Sequence, residues 1–392
     1  MNRRKIAIFT TSFLPRVGGL QYELKWLMDS TDKLLEGDEY KNLKLYFLIP
    51  DKKSLKYARL RNIKVRSLDL KPFSKFHFFW NILKLRKALR EIKPDILHCQ
   101  NTGLDGLMIY FNNLISLRNQ KYIITSHGED IAILPEINYG ARLNPIINFL
   151  ERSTLKRADK HITISRAMKE FAFNAGSKRD NIIIIPDGLK PVDKNIDTNA
   201  KEQIIRKYNI KKDDFCLLSL SGMRPVKGLT FLIDGFAKAY SKNKHLKLFL
   251  ACHGPETKKL REQVKRLDLE DNIHFIGFVV GEKKKAYFDV CSMYCNTALF
   301  EPFGIALLEA MDYGLIILGS TKGGIKDYIK DGENGILINP RDIKMISKKI
   351  IEVYNNKKLQ DRLSKNAVLT VKEYYIDNIA KVYLNLYLKK EV

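Results

Sequence analysis

Residues 296–340, NTALFEPFGIALLEAMDYGLIILGSTKGGIKDYIKDGENGILINP, predict a loop, a short helix, a buried strand and a glycine-rich turn. Pro302 disfavours the α region at the residue before it, so the helix is expected to begin only after Gly304. Helix-forming residues then fill 305–311, and Gly314 supplies a stop signal. The free N–H groups at the start of such a helix favour a bound anion.

Two carboxylates accompany this helix. Glu301 stands just before it, and Glu309 lies inside it among residues that otherwise look buried. A buried carboxylate is costly unless donors surround it, and the hydroxyl groups of a ligand would serve as such donors. Two glutamates eight positions apart also occur by chance in helical proteins, so the spacing alone decides little.

The surrounding pattern is more specific than the spacing. Glu301 and Glu309, set in EPFGIALLEAM and followed by Gly323-Gly324 and DGENGILI, resemble the retaining nucleotide-sugar glycosyltransferases of family 4. This resemblance implies the α/β architecture called GT-B, with two Rossmann-like, doubly wound parallel-sheet domains facing across a cleft. The repeated order of strand and helix along the rest of the chain independently favours parallel sheets.

The length of 392 residues suits two domains. We place an acceptor domain at 1–190, a donor domain at 191–372, and a last helix at 373–392 that returns to the first domain, as the resemblance implies. The first apolar run, 6–10, is too short for a signal peptide and is interpreted as a strand. No apolar run approaches the length of a membrane span. The five scattered cysteines suggest reduced, buried thiols in a cytoplasmic protein.

The formal net charge of +25 leaves three interpretations open. Residues 51–100 alone hold 14 Lys/Arg against 4 Asp/Glu. Such charge could bind nucleic acid, attract an anionic membrane surface or acidic acceptor, or merely be solvated. A nucleic-acid partner is not expected here, because that interpretation has no need for Glu309.

A predicted helix at 75–92 carries a second hint of a membrane partner. One face must be buried on the sheet, since apolar residues recur at helical spacing. Burial does not explain the aromatic residues at its start, which stand beside Lys71 and Lys75: Phe73, Phe76, Phe78, Phe79 and Trp80. Aromatic and basic residues interleaved in this way suit a membrane interface, so we expect residues 71–93 to meet an anionic bilayer.

Two glycine- or histidine-bearing loops follow strands of the first domain. Gly18-Gly19 follows the strand at 5–10, a weak signal that could be a plain turn. The resemblance implies that this loop approaches the donor diphosphate and the acceptor. His127 begins the tetrad HGED after the strand at 122–126, where open α/β sheets bind ligands. It resembles the family's active-site histidine, and Pro186-Asp187-Gly188 resembles its PNG turn with Asp in place of Asn.

The second domain is expected to begin after a linker at 190–201. Its first strand, 215–221, leads into Gly222-Met223-Arg224-Pro225-Val226-Lys227-Gly228, where two cations and a glycine turn predict a diphosphate cradle. The family's usual loop separates Arg and Lys by four residues, whereas two intervene here, a shorter form that some members share. Two solvated cations in a turn are the alternative.

Further segments of the second domain resemble the donor site of the family. Gly254 lies in a turn similar to the family's G-x-G-P, and Phe278 belongs to the segment 273–279 that matches the one lining the nucleobase. Thr297-Ala298 and Asp327 depart from the family's usual residues, which concerns the details of the donor sugar and not the fold.

The resemblance also implies roles for these residues. Glu309 would accept from the ribose hydroxyls, and Arg224 with Lys227 would stabilise charge on the leaving phosphate. Glu301 would orient the sugar hydroxyls, helped by the N–H groups of Phe303, Gly304 and Ile305. His127 would contact the transferred sugar, and Gly19 would let the acceptor loop close.

The sequence contains no convincing Asp-x-Asp motif, so we expect a metal-independent enzyme without a cofactor, whose co-substrate is a nucleotide sugar. A UDP-hexose or UDP-N-acetylhexosamine is favoured over GDP-mannose as the donor. A glycan or lipid-linked oligosaccharide of the cell surface is the expected acceptor, and the expected location is the inner face of the cell membrane.

Two other kinds of enzyme are alternatives to a transferase. A glycosidase could use Glu301 and Glu309 as an acid–nucleophile pair, but it would have no diphosphate for the basic cradle. A sugar-nucleotide epimerase of the same fold would have no reason for this set of motifs.

Overall fold

The computed structural model describes residues 3–16, 18–72, 74–116 and 120–389. These residues form two compact units. The first contains the described residues up to Lys190 and from Tyr375 onward, and the second runs from Pro191 to Tyr374. Within the described part of the chain, no helix has the length and apolar content that crossing a bilayer requires.

The first unit is built on a parallel sheet of seven strands in the order β3-β2-β1-β4-β5-β6-β7. The strands are β1 (Arg4–Phe9), β2 (Leu43–Ile49), β3 (Lys64–Ser67), β4 (Ile96–Cys99), β5 (Tyr122–Ser126), β6 (Lys160–Thr163) and β7 (Ile182–Ile184). Their short apolar runs are buried on both faces, as parallel strands covered by helices require. The strand order reverses between β1 and β4, the place where such sheets bind ligands at the carboxyl ends of the strands.

Among the described residues, six helices belong to the first unit. They are α1 (Gly19–Leu34), α2 (Lys75–Ile92), α3 (Leu104–Ser116), α4 (Pro145–Lys156), α5 (Arg166–Asn174) and, from the end of the chain, α13 (Ile376–Leu388). The N–H of Ile376 donates to the carbonyl of Leu189 over 2.8 Å. This hydrogen bond attaches the start of α13 to the segment that follows β7. Helix α13 then packs on α1, and its apolar residues share one buried cluster with those of β1 and β2.

The second unit contains a parallel sheet of six strands in the order β10-β9-β8-β11-β12-β13. The strands are β8 (Phe215–Leu220), β9 (Leu246–Ala251), β10 (Ile273–Gly277), β11 (Met293–Asn296), β12 (Ile316–Ser320) and β13 (Ile336–Ile338). The order reverses between β8 and β11, so the loops that follow these two strands are brought together at the carboxyl edge.

Seven helices belong to the second unit. They are α6 (Thr198–Lys207), α7 (Leu229–Tyr240), α8 (Thr257–Arg266), α9 (Gly281–Val290), α10 (Ile305–Asp312), α11 (Ile343–Tyr354) and α12 (Lys357–Val371). The helix predicted at 305–311 is confirmed as α10. It ends as expected, because Gly314 has φ +81° and its N–H donates to the carbonyl of Met311.

The two doubly wound parallel sheets predicted from the sequence are confirmed. The predicted linker at 190–201 extends too far toward the C-terminus, because α6 already begins at Thr198. The Asp197 side chain caps that helix by accepting from the N–H of Asn199 over 2.9 Å. The helix that follows Gly18 runs from Gly19 to Leu34. Helices α3, α6, α8 and α9 were not predicted.

Candidate active site

Glu301 is the most tightly held of the predicted site residues in the second unit. The residue is 7% exposed, and its Oε2 accepts from Lys227 Nζ and from Asn296 Nδ2, each over 2.9 Å. The backbone is fixed as well, because the Glu301 carbonyl accepts from the N–H of Gly324 over 2.8 Å. Gly323, at φ +108°, allows this contact, since a Cβ there would lie 2.1 Å from the Glu301 oxygen.

Lys227 reaches Glu301 because the loop after β8 rests on the segment after β11. The N–H of Leu299 donates to the carbonyl of Val226 over 2.7 Å, and Thr297 Oγ1 donates to that of Gly228 over 3.1 Å. Gly228 has φ +60°, and a Cβ there would meet the Thr297 carbonyl at 2.2 Å. The glycine is therefore needed to bring the lysine to the carboxylate.

Arg224 belongs to the same loop but is exposed, and its carbonyl accepts from the N–H of Lys227 over 2.9 Å. The predicted cradle thus has one cation held by Glu301 and one at the surface. Its glycine turn is supported by Gly254, where a Cβ would lie 2.4 Å from the Met223 carbonyl oxygen. Gly254 therefore serves close backbone packing between two loops at the carboxyl edge.

Glu309 has a partner that the sequence did not reveal. Both of its carboxylate oxygens accept from Lys284 Nζ over 2.7 Å. Lys284 lies on α9, one of the unpredicted helices, in a run of three lysines that gave no means of choosing among them. Glu309 therefore has the donor that a buried carboxylate was expected to need, although this donor is a lysine of the chain, and each carboxylate oxygen can accept further hydrogen bonds.

The turn before α10 combines a glycine of positive φ with a buried aromatic ring. Gly304 adopts φ +101° directly before Ile305, the first residue of the helix. The Phe303 ring is buried near the ring of Tyr328, whose hydroxyl donates to the Phe303 carbonyl over 2.6 Å. Phe303, Gly304 and Ile305 lie at the start of α10, where the first N–H groups of a helix have no acceptor within it. Phe278, after β10, is 57% exposed.

In the first unit, His127 lies at the carboxyl end of β5 in a buried group of charges. Its Nδ1 is 3.2 Å from Asp187 Oδ1, and its Nε2 is buried with no hydrogen-bond partner among the described residues. Burial alone would lower the pKa of His127, but the carboxylates of Asp187, Glu23 and Asp130 together raise it to about 9. An imidazolium with a free Nε2–H can donate to a ligand oxygen.

Glu23, on α1, was not identified from the sequence. It is almost completely buried, and burial together with the Asp187 charge raises its pKa to about 8. Gly18 and Gly19 begin the same helix. Gly18 has extended backbone, Gly19 is exposed, and a Cβ on Gly18 would meet Gln21 Oε1 at 2.4 Å.

A second cluster of buried polar residues lies near the carboxyl ends of β1, β4 and β5. It was not identified from the sequence. Asp105 accepts from the N–H of Thr11 over 2.8 Å, and burial raises its pKa to about 6. Burial and the Asp130 charge raise the pKa of Glu151 to about 8. Asp105 Oδ2 and Glu151 Oε2 have no hydrogen-bond partner among the described residues. In sequence these carboxylates lie within helices, where nothing marks them as facing a ligand edge.

The described residues contain no group of three or more His, Cys, Asp or Glu side chains placed to hold a metal ion. All five cysteines are free, and only Cys252 is not fully buried. At the start of α2, Phe76, Phe79 and Trp80 are exposed, while Phe73 lies outside the described residues.

The family models match both units of the chain. Residues 41–192 match the model for Glycosyltransferase Family 4, and residues 200–369 match that for Glycosyl transferases group 1. Among curated relatives, an α-monoglucosyldiacylglycerol synthase of Acholeplasma laidlawii is 23% identical over 98% of this chain and 96% of that protein. The N-acetyl-α-D-glucosaminyl L-malate synthase of Bacillus anthracis is 24% identical over 83% of this chain and 84% of that protein.

A solved structure supports the fold assignment. The Anabaena protein HepE, in complex with UDP and glucose, superposes with a TM-score of 0.76 at 19% identity, covering 98% of this chain and 99% of that one. With matching models on both units and this likeness of fold, the chain belongs to the family 4 glycosyltransferases, enzymes of the GT-B fold.

Proposed function

We propose that this enzyme transfers a hexose or N-acetylhexosamine from a UDP-sugar to a glycan or lipid-linked acceptor in cell-surface polysaccharide synthesis. The observation that carries the proposal is the Lys227–Glu301–Asn296 contact beside the start of α10. It combines a cation, a fixed carboxylate and free helix N–H groups, the set that a sugar diphosphate requires.

Each group has a role in this proposal. Lys227 and Arg224 neutralise the leaving diphosphate, and the N–H groups of Gly304 and Ile305 add to that charge stabilisation. Glu301 accepts from hydroxyls of the transferred sugar. Glu309, oriented by Lys284, accepts from the ribose hydroxyls. No residue in this set needs a metal to act, so we propose metal-independent transfer.

His127 is proposed to contact the transferred sugar. Its buried Nε2 has no partner among the described residues, and its charge is maintained by Asp187. We further propose retention of anomeric configuration, with the acceptor attacking the face that the phosphate leaves. The Gly18-Gly19 loop would close over the diphosphate.

The choice of UDP rests on similarity and is the part most open to test. HepE, named above, was crystallised with UDP and glucose. The proposed acceptor rests on the basic, aromatic start of α2, and we propose that this helix rests on the inner face of the cell membrane. The name of the Acholeplasma relative, which describes a glycolipid synthase, is consistent with such an acceptor.

A thermal-shift panel with UDP, GDP and ADP tests the donor site. A ligand at about one hundred times its Kd adds roughly 2.7 kcal/mol to the native state, or about 5 °C or more in Tm. UDP should shift the wild type and not Glu309→Ala, whereas Glu333→Ala, an exposed glutamate in the same unit, should respond like the wild type. A shift from GDP or ADP alone would reject UDP, and no shift from any nucleotide would reject the donor site.

A further inference from the structure

The first turns of α2 lie at the carboxyl edge of the first unit's sheet. The opposite end of α2 is at the amino edge, because the Ile92 carbonyl accepts from Lys5 Nζ over 3.1 Å and Lys5 lies near the start of β1. An eighteen-residue helix is about 27 Å long, so its two ends lie at opposite edges. The exposed Phe76, Phe79 and Trp80 therefore project at the carboxyl edge.

Helix α4 places a second pair of exposed apolar side chains at that same edge. The Thr154 carbonyl, near the end of α4, accepts from the hydroxyl of Tyr122, the first residue of β5. The end of α4 therefore lies at the amino edge, and its first turns lie at the carboxyl edge. Those turns carry Ile146, which is 72% exposed, and Phe149, which is 68% exposed.

This exposure departs from the usual pattern of a surface helix. Residues three apart share one face, and the outward face of such a helix is normally polar. The inward face of α4 is already supplied by Glu151, Thr154 and Leu155, which are buried. Ile146 and Phe149 are thus large apolar side chains with no place in the core of the unit.

The two exposed groups belong to one helical layer. Helix α3 packs between α2 and α4, and the Phe78 ring of α2 meets the Phe111 ring of α3 with centroids 5.7 Å apart. The charge along α2 is positive. Residues 71–93 contain 7 Lys/Arg against 1 Asp/Glu, and the only carboxylate of α4 is the buried Glu151.

We propose that Ile146 and Phe149 form a second membrane anchor that acts with Phe76, Phe79 and Trp80, so that the first turns of α2 and α4 rest on an anionic lipid bilayer. Separate apolar side chains on a basic surface are what an interface between lipid headgroups and acyl chains accepts. A second copy of the chain would bring like charges together. Resting on the proposed function, the inference specifies the acceptor as one whose reacting hydroxyl is held at a bilayer surface, close to His127.

Depth-dependent quenching tests this orientation. Trp26 and Trp80 are the two tryptophans of the chain, so replacing both by Phe gives a background without Trp fluorescence. Phe149→Trp in that background should be quenched by brominated phosphatidylcholine in vesicles that also contain phosphatidylglycerol. Leu114→Trp is the matched control. Leu114 is also exposed, but it lies at the amino edge, where α3 ends beside Gln120 and Pro94.

Flotation with the same vesicles measures the contribution to binding. Ile146→Ser with Phe149→Ser should weaken binding roughly tenfold or more, since binding scales with the apolar area inserted. Phe76→Ser with Phe79→Ser should do the same, and Leu114→Ser with Ile115→Ser should leave binding unchanged.

Three outcomes would overturn the inference. They are equal quenching at residues 114 and 149, vesicle binding that is indifferent to the Ile146 and Phe149 substitutions, and self-association of the protein that those substitutions abolish. The UDP thermal shift of the same variants separates this failure from failure of the proposed function. A variant that binds UDP and vesicles as strongly as the wild type does would retain the donor site and reject only the anchor.

Discussion

The candidate site residues of the two units have their polar groups satisfied to different extents. In the second unit, the carboxylates of Glu301 and Glu309 each accept from a lysine, at 2.9 and 2.7 Å. In the first unit, His127, Asp105 and Glu151 each keep a buried atom that has no hydrogen-bond partner among the described residues. An unpartnered buried polar atom costs about 1–3 kcal/mol, so His127, Asp105 and Glu151 carry a cost that the paired carboxylates of Glu301 and Glu309 do not.

This difference indicates when each site is completed. The second unit has its charges oriented before a ligand binds, as electrostatic stabilisation of a leaving diphosphate requires. The buried atoms of the first unit could regain hydrogen bonds from a hydroxylated ligand, which would make that ligand's recognition selective. The predictions below test this contrast by removing one element at a time.

The largest effect is expected from Lys227→Met. The substitution removes the cation proposed for the diphosphate and leaves the buried Glu301 with Asn296 as its remaining side-chain donor. Loss of one such donor typically slows the chemical step roughly 100- to 1,000-fold. Steady-state transfer rates with the donor identified by thermal shift would measure the loss. Lys322→Met, at an exposed lysine nearby, is the control and should retain the wild-type rate.

A smaller rate loss, below about tenfold, would contradict the proposal that Lys227 neutralises the diphosphate. Restoration by Lys227→Arg would show that charge alone is sufficient there, since Arg places its charge on a planar fork and Lys on a single nitrogen.

The next effect concerns stability and the glycine beneath Glu301. In Gly323→Ala, the new Cβ would lie 2.1 Å from the Glu301 carbonyl oxygen, at a backbone φ of +108°. The free energy of unfolding should fall by about 3 kcal/mol or more, because both strain and displacement of backbone contribute. Urea denaturation would measure it.

Gly332→Ala separates these two contributions. Gly332 also has a positive φ, +74°, but a Cβ there meets nothing within 4 Å. The free energy of unfolding of Gly332→Ala should therefore fall only by the cost of backbone strain, about 1 kcal/mol. Equal losses at the two positions would mean that the contact with Glu301 contributes nothing.

The sequence predicted the paired second-unit site better than the first-unit site for a physical reason. Glu301, Lys227 and the glycines around them lie in loops, where turn residues and cations at strand ends mark a ligand edge without knowledge of the partner. Lys284 escaped because its pairing with Glu309 joins two helices, and the choice among Lys283, Lys284 and Lys285 depends on their packing.

The buried groups of the first unit could not be predicted from the sequence for the same reason. Glu23 and Glu151 lie in helices that have ordinary amphipathic patterns, and only the register of α1 and α4 on the sheet turns these carboxylates inward. Helix α3, LDGLMIYFNNLIS, is apolar around much of its circumference, so periodicity does not separate it from a strand. The strands, in contrast, were found because buried parallel strands are short continuous apolar runs.

The smallest effect is expected from Glu23→Gln, and it appears as a change in pH dependence. The pKa of Glu23 is raised to about 8 by burial and by Asp187, so between the pH of an ordinary glutamate and about 8 the folded state holds a proton that the unfolded state has lost. Stability of the wild type must therefore fall as pH rises across that window. The raised pKa of His127, about 9, continues the fall at higher pH.

Gln at position 23 keeps the shape and removes the titration, so the variant should match the wild type near pH 5 and exceed it by about 1–3 kcal/mol at pH 8.5. Urea denaturation at both pH values gives the difference, and Glu36→Gln, at an exposed residue just after α1, should follow the wild type. If the stability of Glu23→Gln fell with pH as steeply as that of the wild type, the pH dependence would not arise from Glu23. The carboxylates of Glu301 and Glu309 in the second unit are ion-paired. A weaker pH dependence of stability in Glu23→Gln would therefore assign the effect to the first unit, whose site residues lack hydrogen-bond partners among the described residues.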